Sequence, residues 1–214
     1  MKRFLLAAFL VLSPIFPAAA QEYYDIDVDL PQYPEMVPVP DSPVYYAPSV
    51  DSNYFYYDGQ YWDYNNDGWY ASPWYNGPWA YVDPIYVPTY VLWVPIRYYH
   101  KHPGHWRGWN VNGPPHWGQH WGNEWQARHN EYYRGSPRGN ARAPLPEYQR
   151  SYTRANYPRA VPQQSMLHSQ HYAYRPQERI VQQHYTQRGI TQGQPLQQRA
   201  PANPTARGDS RERR

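Results

Sequence analysis

Cysteine is absent from all 214 residues. That excludes disulfides, thiolate metal sites, a cysteine nucleophile and the attachment point of a bacterial lipid anchor. Long apolar runs are equally scarce. The longest, Phe4 to Leu12, falls well short of the ~20 residues a spanning helix needs, and Pro14 and Pro17 break up the stretch after it. Lys and Arg are missing from residues 21–96, which carry eleven acidic side chains. Serine is sparse, and neither a G-x-S-x-G elbow nor a glycine-rich phosphate cradle occurs. Asp58, Asp63 and Asp67 stand where a glycosidase pair would be sought, but turn chemistry explains them without further assumption. Catalysis is not expected.

What is present begins with Lys2 and Arg3, an apolar core and Ala18-Ala19-Ala20 before Gln21. This order predicts a secretory signal peptide over 1–20, cut after Ala20. The expected location is the periplasm or cell surface of a Gram-negative bacterium, with no membrane span in the mature chain. Charge is then sharply partitioned. Residues 97–134 hold five basic and two acidic side chains, and residues 135–214 hold thirteen arginines against four acids, so an acidic front precedes a basic tail.

Residues 21–43 are rich in Asp and contain Pro31, Pro34, Pro38, Pro40 and Pro43, which predicts an extended linker. Residues 135–214, rich in Arg, Gln and Pro, hold too few aliphatics to offset ordering entropy and are expected to be disordered. The exception is 177–187, where Ile180, Val181, His184 and Tyr185 fall at helical spacing and predict a transient helix at most.

Structure is therefore expected within 44–134, where sixteen Tyr, ten Trp and one Phe outnumber ten Val, Leu and Ile. Asp58-Gly59, Asp67-Gly68 and Asn76-Gly77 set glycines nine residues apart, and such pairs favour tight hairpin turns. The fold class is mainly β: an antiparallel aromatic meander over 44–113, with strands at 53–57, 60–65, 68–72, 79–82 and 86–94. The run Tyr90 to Pro95 is the candidate for the most buried strand. After Pro114-Pro115, Trp117, Trp121 and Trp125 recur every four residues, which predicts a helix over about 115–133 whose indole stripe packs on the β-module. Gly118 and Gly122 weaken it by roughly 1 kcal/mol each relative to Ala.

Trp74 to Trp79 reads W-x-x-G-x-W. Together with Tyr56-Tyr57-Asp58-Gly59, Gly77-Pro78-Trp79, Tyr86 to Leu92 and Pro114-Pro115-His116-Trp117-Gly118, it resembles a family of exported Tyr/Trp-rich repeat proteins of proteobacteria. The resemblance covers roughly 44–134 and implies export and an aromatic fold. It implies no activity and no site residues, because that family has no assigned mechanism.

Two groups of residues have the chemistry of metal ligands. Asp63-Tyr64-Asn65-Asn66-Asp67-Gly68 matches the opening of a calcium loop, with Asp63, Asn65 and Asp67 as oxygen donors. Its twelfth position is Trp74 where a bidentate Glu should close the cage, and an ordinary hairpin turn accounts equally for the pattern. His116 and His120, with Glu124 a turn further on, have the spacing of a shared zinc or copper ion, and His100, His102 and His105 lie nearby. No HExxH motif accompanies them, and histidines on a solvated face are the ordinary alternative.

A meander also exposes one face. Some of Tyr54, Tyr56, Tyr61, Trp62, Trp69, Tyr70, Trp74 and Trp79 are expected to remain accessible as a platform for cell-wall or capsule polysaccharide, or for an envelope protein. The plain alternative is that they form the core. The arginine tail is expected to meet anionic envelope components rather than nucleic acid, which the exported location disfavours. Arg207-Gly208-Asp209-Ser210 spells an integrin-type tripeptide that chance explains in such a tail. Long aromatic edge strands would favour self-association. The expected role is a non-catalytic structural or binding protein of the envelope without a required cofactor. The alternative is a metal-responsive module using calcium, zinc or copper.

Overall fold

The computed structural model describes residues 23–24, 26, 28, 30, 32–132, 141–146, 149, 156, 158, 160, 162–164, 166–167 and 174–187. The expected signal peptide at 1–20, the tripeptide at 207–209 and the tail beyond 187 lie outside them, as do the side chains of His184 and Tyr185.

Seven strands form one antiparallel sheet: β1 (Tyr23–Tyr24), β2 (Val37–Pro38), β3 (Tyr45–Tyr46), β4 (Asn53–Tyr57), β5 (Gln60–Asn65), β6 (Gly68–Ser72) and β7 (Trp79–Val82). Their spatial order is β1-β7-β6-β5-β4-β3-β2. The long strands β4 to β7 coincide with four of the predicted ones. Both edges consist of two-residue strands, and β2 ends in Pro38, which lacks a backbone donor. Among the described residues the long aromatic strands are interior, not at the edges where self-association was expected to arise.

Turn chemistry sets the register. Asp58 (φ 49°) and Gly59 (φ 84°) are the two central residues of the β4–β5 turn, both left-handed as a type I′ hairpin requires. In the next hairpin the central pair is Asn66 and Asp67 (φ 48° and 63°), because Asn65 pairs with Gly68. Gly68 is therefore the first strand residue rather than part of the turn.

The fifth predicted strand, 86–94, is not a strand. Pro84–Tyr86 is a 3₁₀ turn capped by Asp83, and Thr89–Leu92 is a four-residue helix, α1. Pro84 and Pro88 preset the first turn of each short helix and could not donate to a ladder. Val91, Leu92 and Val94 are buried as expected of this apolar run, while Trp93 turns outward and is 63% exposed.

Helix α2 (Trp117–Tyr132) comes next, interrupted at Gly122, whose φ of 88° and ψ of 167° are not helical. Its tryptophans nonetheless form the predicted stripe. Trp117 is buried and donates its indole N–H to the Leu92 carbonyl at 2.9 Å. Trp121 stacks on Trp117 at 4.6 Å, and Trp125 meets Trp121 at 4.8 Å and His129 at 4.9 Å.

The sheet is covered on both faces. One carries Phe55, Tyr57, Trp62, Tyr64, Trp69, Ala71 and Val82 under α1, Trp106 and Trp117. The other carries Tyr54, Tyr56, Tyr61 and Trp79 under Val28, Tyr33, Met36 and Ala143. The predicted linker and tail thus contribute to the core. Residues 36–39 supply β2 and the buried Met36 and Val39. Helix α3 (Arg179–Gln187) lays Ile180 and Val181, 4% and 0% exposed, against the first face. Disorder of these described stretches is corrected by that packing, which offsets the ordering entropy that isolated segments could not.

Candidate functional site

The expected aromatic platform is not at the surface. Tyr56, Tyr61, Trp62 and Trp69 are fully buried, and Trp74 and Trp79 nearly so. Only Tyr70 of the proposed binding rings is half-buried. Alternation correctly divides these rings between two faces, but chain from outside the meander covers both, so they are core and not a ligand surface.

The expected calcium loop is also dispersed. Asp63 is fully buried and accepts a hydrogen bond from the Ser52 hydroxyl. Burial pushes its pKa up to about 7, against the lowering effects of Ser52 and Lys101. Asp67 lies at the exposed turn and accepts from the Tyr64 hydroxyl at 2.6 Å. Asp63 and Tyr64 point to opposite faces because neighbouring strand residues alternate, so Asp63 and Asp67 share no site; Asn65 lies on the Asp63 face.

The histidines are regrouped. His116 precedes α2, contacts Gln119 Oε1 at 3.3 Å and stacks on Trp109 at 4.7 Å. It does not pair with His120. Instead the His120 Nε2 lies 2.7 Å from Asp67 Oδ1, and its ring stacks on His105 at 4.2 Å and 10°. One ligand atom from each of Asp67, His105 and His120 lies within 4.8 Å of the others. Burial, then the neighbouring His120, lowers the His105 pKa, which favours the neutral imidazole.

The local chain explains this meeting. Asn53 uses its amide to hold the Lys101 carbonyl (2.9 Å) and backbone N–H (2.8 Å), pinning the loop before His105 to the start of β4. Ile96 and Arg97 donate to the carbonyls of Gly113 and Val111 at 2.9 and 3.0 Å, so the chain doubles back and starts α2 beside that loop. His100 and His102 contact the Pro48 and Tyr99 carbonyls at 2.9 and 3.0 Å and stand apart from the cluster. No sequence spacing signals the union of positions 67, 105 and 120. His105 was visible only as one member of a histidine-rich stretch.

A second feature was not anticipated. A cleft of about 350 Å³ opens between Trp93, the Pro114–Gln119 stretch and the second half of α2. Trp93, Trp117 and Trp125 supply ring surface, and Gln119, Gln126 and Asn130 supply neutral hydrogen-bonding groups. Its lining contains no Asp, Glu, Lys or Arg. His116 and His129 also line it; His129 contacts the Val87 carbonyl at 3.2 Å, and burial lowers its pKa, which favours its neutral imidazole.

The remaining carboxylates of interest are structural. Asp58 accepts from the backbone N–H groups of Gln177 and Glu178 at 2.9 and 2.7 Å and from the Tyr174 hydroxyl at 2.7 Å. Arg142, one of three tail arginines among the described residues, donates to the carbonyls of Val39 and Ser42 at 3.2 and 2.6 Å and so ties this stretch to residues 39–42. Among the described residues, no helix is long and apolar enough to cross a membrane. No protein-family model, no curated protein and no solved structure matches the chain.

Proposed function

We propose that this chain is an exported, non-catalytic envelope protein that binds the uncharged sugar rings of cell-wall polysaccharide in the cleft beside α2. The observation that carries the reading is the lining: tryptophan faces beside neutral amides, with no Asp, Glu, Lys or Arg. Apolar ring faces with a few convergent polar groups are the usual composition of a small-ligand site. Sugar rings offer the complement, with apolar C–H faces and many hydroxyls. Trp93 is the key contact, because it is held out at 63% exposure while its neighbours Val91, Leu92 and Val94 enter the core. The basic tail adds a second, charge-driven contact with anionic envelope components, which salt screens.

Co-sedimentation of the mature chain, from Gln21 onward, with peptidoglycan sacculi tests this. The protein pellets at high salt, and Trp93→Ala loses at least tenfold of that retention with an unchanged melting temperature. Pelleting that disappears with salt transfers the binding to the tail. Unchanged pelleting of Trp93→Ala overturns the cleft as the site.

A further inference from the structure

The geometry points to a transition-metal site formed by Asp67, His105 and His120, taking a divalent ion of the zinc or copper class. Three unconnected parts of the chain deliver these groups: the β5–β6 turn, the pinned loop at 100–105 and the first turn of α2. The site is independent of the glycan cleft, which none of the three residues lines.

Donor chemistry selects the ion. Two imidazole nitrogens and one carboxylate oxygen suit zinc or copper, whereas calcium requires six to eight oxygens and finds one carboxylate here. Nitrogen and oxygen ligands in a tetrahedral zinc shell lie about 3.3 Å apart. His120 Nε2 and Asp67 Oδ1 are 2.7 Å apart, and all three ligand atoms lie within 4.8 Å of one another, so small side-chain shifts reach that value. Binding requires His105, on an exposed loop, to tilt out of its parallel stack so that its nitrogen converges on the ion. The ion takes the place of the proton that links His120 Nε2 to Asp67.

The surroundings are those of a ligand set held in position. Tyr64, itself nearly buried, donates its hydroxyl to Asp67 at 2.6 Å and orients the carboxylate. Trp109 flanks the His105 ring at 5.7 Å, and Trp121 flanks His120 at 5.5 Å. Three protein ligands leave one position open to water or an exogenous donor.

The test is calorimetric titration of the metal-free mature chain with Zn²⁺ and with Cu²⁺, each alone, alongside thermal melting. One ion binds per chain and raises the melting temperature, because a ligand selective for the native state stabilises it by mass action. His105→Ala and His120→Ala each weaken binding at least tenfold, while His116→Ala and His100→Ala leave it unchanged. His105→Ala without metal melts like the parent, so its loss of binding does not report misfolding. With Cu²⁺, the electron paramagnetic resonance of the parent shows nitrogen coupling that diminishes in His105→Ala. Absence of saturable binding overturns the site, and so does affinity that survives both His105→Ala and His120→Ala.

Discussion

At Asp63 a carboxyl group is held with no exposed surface, and its Oδ1 has no hydrogen-bond partner among the described residues. Burial favours its neutral form and lifts its pKa from 3.8 to about 7. The folded chain therefore holds this proton over a pH range in which the unfolded chain has released it. Stability is greatest at the acid end of that range and falls as pH rises towards 7, by about 1.4 kcal/mol per unit at most, then levels off above it. Asp63→Asn, which is neutral at every pH, is expected to melt with the parent near pH 4 and above it at pH 8. Parallel melting curves across the range would show that Asp63 is ionised without cost. The residue was legible in sequence only as an oxygen donor in a turn-rich stretch. Which face it occupies depends on strand register, and its lost access to ions depends on remote chain packed over that face.

Among the elements, β4 to β7 were readable because each is bounded by turn residues whose backbone preferences are local. Residues 86–94 were not, since their β-branched and aromatic content favours a strand while Pro84, Pro88 and Pro95 divide the stretch into helical turns. The tryptophan stripe was legible from its spacing, but Gly122 does more than weaken α2. Its backbone, φ 88° and ψ 167°, is one that residues with a Cβ rarely adopt. A Cβ there would meet no atom within 4 Å, so the cost of Gly122→Ala is conformational rather than steric. That substitution is expected to destabilise the fold by about 1–3 kcal/mol and, by favouring a continuous helix, to move Trp125 relative to Trp117. Chemical denaturation and tryptophan fluorescence read both effects. A variant as stable as the parent, with unchanged emission, would mean that the interruption is not required.

Across the whole molecule, long-range contacts decide what local patterns could not. Alternation implies that a meander has a face to spare, and both faces are instead covered by segments whose composition suggests no fixed structure. The tryptophan-lined cleft and the Asp67–His105–His120 cluster likewise arise where chain segments distant in sequence meet around the broken helix. Charge partition was legible, yet its use is local. The acidic hairpin turn at Asp58 meets two backbone N–H groups at the start of α3, where the helix dipole favours an anion. Those bonds join residues about 120 positions apart, so the coupling is testable by a cycle rather than by one change. Asp58→Gly keeps a residue suited to left-handed backbone and removes only the carboxylate. In the full chain it should cost about 1.5–3 kcal/mol, the range of a hydrogen bond to a charged group. Truncation after Ala173 removes Ile180 and Val181 from the core and should lower the melting temperature by itself. In the truncated chain Asp58→Gly should cost less than about 0.5 kcal/mol, because the carboxylate has lost its partners. Equal costs in both backgrounds would show that Asp58 acts through its own turn and that α3 is docked by its apolar side chains alone.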